Sequence, residues 1–342
     1  MSVKVLVTAV GGDLGQALVK ALRLCRQPVE VHGCDADRDS VGAAFVDSYH
    51  CVPFASATAD YIQTLDHLCR SQEIQIVVPG SEAEIYVLSR LGSSPSLPCG
   101  AHVICHGGPW IDTYGDKLDC MRALDGKIEL PFFAAGDDEE TVNRLVARTG
   151  FPVVVKSRRS SGSRTIRIAR DREELLRALG EVPSPLAQEY LAPAGNEFSA
   201  GVFICDQFES AIAFKRDLGP SGCSWFAQVS SDSAVLEYVR NVAHATGLRG
   251  SANIQVVKTP SGVRLLEVNP RFSSLVAARA ICGFRDLEWS IQLSLGLKID
   301  PPSGNYKSIR FRRFFHELID FGDGYTAVPE WQPRPFEASL LR

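Results

Sequence analysis

The spacing of apolar and polar positions changes near residue 110. Before it, short apolar runs alternate with helical patterns. "VKVLVTAV" (3–10) reads as a buried strand, and Leu14, Leu18, Ala21, Leu22 and Cys25 then recur at helical spacing. "VEVHGCDAD" predicts a second strand. The helix "YIQTLDHLCRS" precedes a third strand in "EIQIVVPGS", and "AHVICHGG" predicts another. Alternation of this kind implies a parallel sheet covered by helices.

Beyond residue 110 strands and helices segregate, which predicts an α+β arrangement. "FPVVVKSRRSSGSRTIRIA" is a strand, a Ser/Arg/Gly loop and a returning strand, and the pair Asp171 and Glu174 caps the following helix. "PLAQEYL", the strand pair "NEFSAGVFICDQFESAIAFKR" and a helix near 233–247 follow. After about residue 300 the chain opens with Pro301 and Pro302, and "SIRFRRFFHEL" predicts a strand on the main body.

The segment "SANIQVVKTPSGVRLLEVNPR" (251–271) carries the most chemistry. Pro260 and Gly262 suit a three-residue hairpin loop. Pairing Thr259 with Val263 puts Gln255 opposite Glu267 and Asn253 opposite Asn269, with Val257 and Leu265 on that same face. Directly opposed residues share a face. A patch of Gln255, Glu267 and Asn269, with Arg271 just past the strand, offers the oxygen ligands a hard cation takes beside phosphates. A solvated sheet face decorated with polar residues is the alternative.

Composition acts mainly by exclusion. The 342 residues are 45% hydrophobic and 22% charged, with 36 basic against 40 acidic side chains and a formal charge of −4. That balance argues against nucleic-acid partners, and "RFRRFF" reads as a charged edge strand. No apolar run approaches a membrane span. Ten cysteines without a C-x-x-C pair are read as reduced thiols of a cytoplasmic protein. Cys99, His102, Cys105 and His106 match no common zinc spacing. "VTAVGGDLGQ" with Asp35 imitates a dinucleotide fingerprint, but its glycines are spaced G-G-x-x-G. Gly11, Gly12, Asp35 and Ser81 are read instead as one wall of a substrate pocket.

An ordered set of pieces then carries a family resemblance: Asp116-Lys117, "FPVVVK" ending at Lys156, a Ser/Gly loop, "QEYL", Glu197, Gln255 and "EVNPR". The chain resembles the ATP-grasp superfamily, in particular the branch of the carbamoyl-phosphate synthetase large subunit. The resemblance implies an α/β Rossmann-like (pre-ATP-grasp) domain at 1–110, then a two-lobed α+β ATP-grasp domain. Its small lobe spans 111–190 and its large lobe 191–300, with a C-terminal extension at 301–342. It further implies that Gln255, Glu267 and Asn269 hold Mg²⁺ or Mn²⁺, and that Lys117 and Lys156 contact ATP phosphates. Ser161 and Gly162 belong to a loop (157–164) that covers those phosphates. Glu189, Tyr190 and Leu191 meet adenine and Glu197 meets the ribose. Arg271 and Lys215 contact the transferred group or substrate. The loop departs from the family in carrying one glycine and three arginines (Arg158, Arg159, Arg164).

The activity so implied is carboxylate activation as an acyl phosphate, with capture by an amine to form a carbon–nitrogen bond. The partners are a small carboxylate, an amine and a second copy of the chain as a homodimer. Phosphorylation of bicarbonate or carbamate, or nucleotide binding without catalysis, are the alternatives.

Overall fold

A computed structural model describes residues 2–159, 165–192, 195–219, 222–314, 318–320 and 325–327. The chain forms two units, Met1–Arg312 and Arg313–Arg342.

The first unit opens with a five-stranded parallel sheet: β1 (Val3–Val7), β2 (Val29–Asp35), β3 (Ser48–Cys51), β4 (Ile76–Val78) and β5 (His102–Val103). Its order is β3-β2-β1-β4-β5, with every pairing parallel. Both faces are covered, so β1 is apolar throughout its centre. Val5 and Val7 pack under helix α1 (Asp13–Leu22), while Leu6 packs against helix α2 (Thr58–Gln72). Because the order reverses at β1, the strand ends of β1 and β4 part and leave a crevice. Gly80 stands there because backbone crowds it: a Cβ would lie 2.1 Å from the Thr8 carbonyl. Helix α3 (Glu82–Leu88) starts from the same crevice, followed by α4 (Gly108–Tyr114) and α5 (Lys117–Leu124).

A four-stranded antiparallel sheet follows: β6 (Phe133–Ala135), β7 (Val153–Ser157), β8 (Ile166–Ala169) and β9 (Pro185–Glu189), in the order β6-β9-β7-β8. Val153, Val155 and Ala187 pack on helices α6 (Glu139–Thr149) and α7 (Arg172–Glu181). Strict alternation therefore turns Val154, Lys156 and Gln188 to the other side. The predicted cap of α7 forms, with Asp171 accepting from the Glu174 amide; the Glu174 carboxylate reaches back to the Arg170 amide.

The third sheet comprises β10 (Glu197–Ile204), β11 (Glu209–Leu218), β12 (Ser224–Ser230), β13 (Gly250–Thr259), β14 (Gly262–Asn269) and β15 (Arg310–Arg312). It runs β14-β13-β10-β11-β12-β15 and is antiparallel. One face is an apolar core with helix α8 (Ser233–Ala245). The other is half covered by α9 (Val276–Cys282) and α10 (Asp286–Ser294), and half open. Phe272, Val276, Leu287 and Ile291 also pack with Val5 and Leu18, which joins this sheet to the parallel one. β15 is the strand predicted within "SIRFRRFFHEL".

The hairpin of β13 and β14 differs from the predicted register in two compensating ways. Thr259 pairs with Gly262, so the loop has two residues, and a bulge at Leu266 then inserts one residue into β14. The second shift restores the first, and Gln255 still opposes Glu267 while Asn253 opposes Asn269. Between turn and bulge the prediction fails: Val257 opposes Arg264, and Leu265 opposes Val256 on the other face.

In the second unit, strands β16 (Leu318–Asp320) and β17 (Tyr325–Ala327) pair antiparallel.

Candidate functional site

The three sheets enclose a cavity of about 560 Å³. Its apolar walls include Val154, Ile166, Ile168, Leu218 and Leu266. Ile166 and Ile168 are about 40% exposed, an arrangement that suits a slot for a flat apolar ligand group. At the far side it is bounded by the crevice residues Gly12, Asp13, Gly80, Ser81 and Glu82.

Charged groups concentrate between these ends. Lys117 is the first residue of α5, whose start is fixed by Asp116: its carboxylate caps the Leu118 and Asp119 amides at 3.0 and 3.2 Å. Asp116 is 2% exposed and also accepts from Arg158 at 2.9 Å and Arg159 at 3.1 Å. Burial raises its pKa, but the Arg158 hydrogen bond and its other partners hold the carboxyl below its ordinary value. The end of β7 is thus tied to the helix that presents Lys117.

Lys117 Nζ lies 3.3 Å from Glu267 Oε2, and Asn269 Nδ2 donates to Glu267 Oε1 at 3.0 Å. Burial pushes the Glu267 carboxyl up, but Lys117, the Asn269 hydrogen bond, Lys156 and Arg271 together bring it down to about 2. Lys156 Nζ donates to the Leu266 carbonyl at 3.0 Å, the group the bulge presents. Burial and Lys117 lower its pKa to about 8, against the pull of Glu267. Arg271 donates from Nε and Nη2 to Glu82 Oε1 at 3.1 and 3.0 Å, which clasps the third sheet to α3.

Most residues predicted from sequence converge here. Lys117, Lys156, Glu189, Tyr190, Leu191, Glu197, Gln255, Glu267 and Arg271 all line the cavity. Asn269 is buried, is not part of the cavity lining, and donates to Glu267, which is. Ser161, Gly162 and Arg164 lie outside the described residues. Gly12 and Ser81 line the crevice wall, whereas Gly11 and Asp35 do not: Asp35 Oδ2 accepts the Gly11 amide at 2.8 Å.

Lys215 requires a correction. It is exposed and does not line the cavity, because alternation along β11 turns it away with Ala211 and Ala213. The next residue, Arg216, is 8% exposed and faces inward. It donates from Nε to Glu197 at 2.9 Å and from Nη2 to Gln255 Oε1 at 2.6 Å. Reading Asp206-Gln207 as a two-residue turn, closed by the Cys205 amide and Phe208 carbonyl, would have supplied this parity.

Among the described residues no three His, Cys, Asp or Glu side chains gather as a metal cluster. The donor set is one carboxylate and two amides, which fits a hard cation that takes its remaining ligands from water and phosphate. Glu267 fits best; the Gln255 acceptor is shared with Arg216.

Residues 114–274 match the family model of the ATP-grasp domain. That stretch, just under half of the chain, is similar to an ATP-grasp domain. The chain is 30% identical over 223 residues to the carbamoyl phosphate synthase large chain of Thermus thermophilus, covering 57% of this chain but 21% of that protein. This chain therefore spans about a fifth of its curated relative. Solved structures share the fold. The biotin carboxylase domain dimer of Hydrogenobacter thermophilus 2-oxoglutarate carboxylase, a complex with MgADP, ADP and bicarbonate, superposes with TM-score 0.69 at 15% identity, over 89% of this chain and 72% of that one. The L-amino acid ligase of Bacillus licheniformis gives 0.66 at 15% identity, over 86% and 74%. At such identities the likeness is one of fold.

Proposed function

We propose that the protein is an ATP-dependent ligase that activates a carboxylate as an acyl phosphate and joins it to an amine. The observation that carries this reading is the meeting of Lys117, Lys156 and Glu267 in one cavity with Arg271 at its acceptor end. Phosphoryl transfer needs positioning and neutralisation of spread negative charge. The apolar slot and the backbone at Tyr190 and Leu191 hold the base, Glu197 the ribose, and the lysines the phosphates. When bound, Mg²⁺ or Mn²⁺ at Glu267, Gln255 and Asn269 would neutralise phosphate charge.

A carboxylate oxygen of the acceptor attacks the γ-phosphorus and ADP leaves. An amine then attacks the acyl carbon, expels phosphate and loses a proton. Arg271 balances the charge on the transferred group. Asp13 and Glu82 line the acceptor end, which favours an acceptor carrying an ammonium beside its carboxylate. Within this reading the parallel sheet at 1–110 is a Rossmann-like (pre-ATP-grasp) scaffold, 111–190 and 191–300 are the two lobes, and the protein works in the cytoplasm as a homodimer.

Bicarbonate is the second acceptor to weigh, because the curated relative is a carbamoyl phosphate synthase large chain. ADP release from Mg·ATP, screened against amino acids, their des-amino counterparts, bicarbonate and paired amines, tests both. Glu267→Gln protein is the blank. ADP that requires a carboxylate and vanishes in the variant supports the ligase. Dependence on bicarbonate alone moves the reading to carbamoyl chemistry, and no ADP above the blank rejects both.

A further inference from the structure

Behind the cavity lies a polar network with no role in the steps above. Arg279, on α9, is fully buried; it meets Asp286 Oδ2 at 3.2 Å and donates to Asn253 Oδ1 at 2.5 Å. Ser199 Oγ donates to the same Oδ1 at 2.8 Å, and Ser251 Oγ to Asp286 at 2.8 Å. Arg279 can only donate, so the amide atom facing it is oxygen and the orientation of the Asn253 amide is fixed. Among the described residues its Nδ2 is left without a partner, as are Arg279 Nε and Asp286 Oδ1, but of these three residues it is Asn253, 1% exposed, that lines the cavity.

Protein interiors seldom leave such a donor unmatched, since the group forfeits its hydrogen bonds to water. The fold goes to some length to keep it. Gly201, opposite Asn253 on β10, has no room for a side chain: a Cβ there would meet Arg279 Cζ at 2.7 Å. Asn253 stands two residues before Gln255 on β13 and opposite Asn269, so it lies on the Arg271 side of the charged groups.

We propose that Asn253 is a substrate-contacting residue whose Nδ2 donates to a carboxylate oxygen of the acceptor and holds it for attack on the γ-phosphoryl group. The assignment rests on the ligase reading. A neutral donor there tolerates the carboxylate before transfer and the acyl phosphate after it, without competing for phosphate as another lysine would. The buried Arg279–Asp286 pair serves as the rigid mount.

Asn253→Asp tests this, because it keeps the shape and the Arg279 contact but replaces the donor with an acceptor. Acceptor KM, kcat and the Kd of Mg·ADP are compared with wild type. The expected result is a Kd within about twofold and a fall in kcat/KM for the acceptor of about a hundredfold or more. Unchanged acceptor kinetics overturn the assignment, as does a loss of Mg·ADP affinity that matches the loss of turnover. If wild-type protein releases no ADP with any carboxylate, the ligase reading fails and takes the assignment with it; an active wild type with an indifferent variant sinks the assignment alone. Should Asn253→Asp not fold, Ser199→Ala frees one of the two bonds pinning the amide while Nδ2 remains. It should raise acceptor KM about fivefold with Mg·ADP affinity kept, and an unchanged KM there also rejects the proposal.

Discussion

Lys156 shows what the site costs the free protein. It is 7% exposed, and burial and Lys117 together hold its pKa near 8, below the usual 10.5. Between those values the unfolded chain binds more protons than the folded one, so this group makes stability rise with pH across that window. Below pH 8 the folded state carries a buried charge at a cost of about 3 kcal/mol. Lys156→Met should therefore be more stable than wild type at pH 7 by up to a few kcal/mol, the gap closing as pH rises from 8 toward 10.5. Chemical denaturation at several pH values checks it; a gap independent of pH would contradict the assignment of cause. Lys156 was legible in the sequence and Arg216 was not. A lysine ending an apolar strand stands out, whereas choosing between Lys215 and Arg216 depends on parity, which a single pairing decides.

At the scale of elements, the β13–β14 hairpin holds the site together, and its register was legible for a partly accidental reason. Pro260 and Gly262 marked the turn, but not that it closes one residue earlier. Nothing in "VRLLEV" marks the bulge, since Leu265 and Leu266 are alike in chemistry and only their surroundings differ. Leu265 packs in the core with α8, while Leu266 lines the cavity and lends its carbonyl to Lys156. A bulge sets two residues against one, so removing the extra residue leaves the pairs beyond it opposed as before and takes away only what that residue supplies. Deletion of Leu266 should keep Glu267 opposite Gln255 and Asn269 opposite Asn253 but remove the carbonyl that holds Lys156, weakening Mg·ADP binding about tenfold. Deleting Ser261 in the loop leaves the strand parity beyond the bulge free to re-form and should cost far less. Comparing Mg·ADP binding in the two deletions measures the difference, and equal losses would reject the bulge as the determinant. Asn253 escaped notice for a related reason: its position opposite Asn269 followed from the pairing, but its empty donor follows from Arg279, 26 residues on.

Across the first unit, an apolar contact and an ion pair join the parallel sheet to the antiparallel one, beside hydrogen bonds such as Arg26 to Glu288 and Arg285 to the Leu24 carbonyl. The apolar contact of Phe272, Val276, Leu287 and Ile291 with Val5 and Leu18 supplies adhesion. The Arg271–Glu82 clasp supplies alignment, because it fixes the guanidinium at the acceptor end from the crevice side. An ion pair whose carboxylate side chain is 42% exposed adds little stability, about 0–1 kcal/mol. Its consequence should be kinetic instead. Glu82→Ala leaves Arg271 in place but unaligned, so acceptor KM should rise about tenfold while the KM for ATP and the melting temperature stay near wild type. Retention of wild-type acceptor KM would mean that Arg271 is positioned without the parallel sheet, and that the crevice contributes shape alone. A matching rise in the KM for ATP would place Arg271 on the nucleotide rather than on the group it receives.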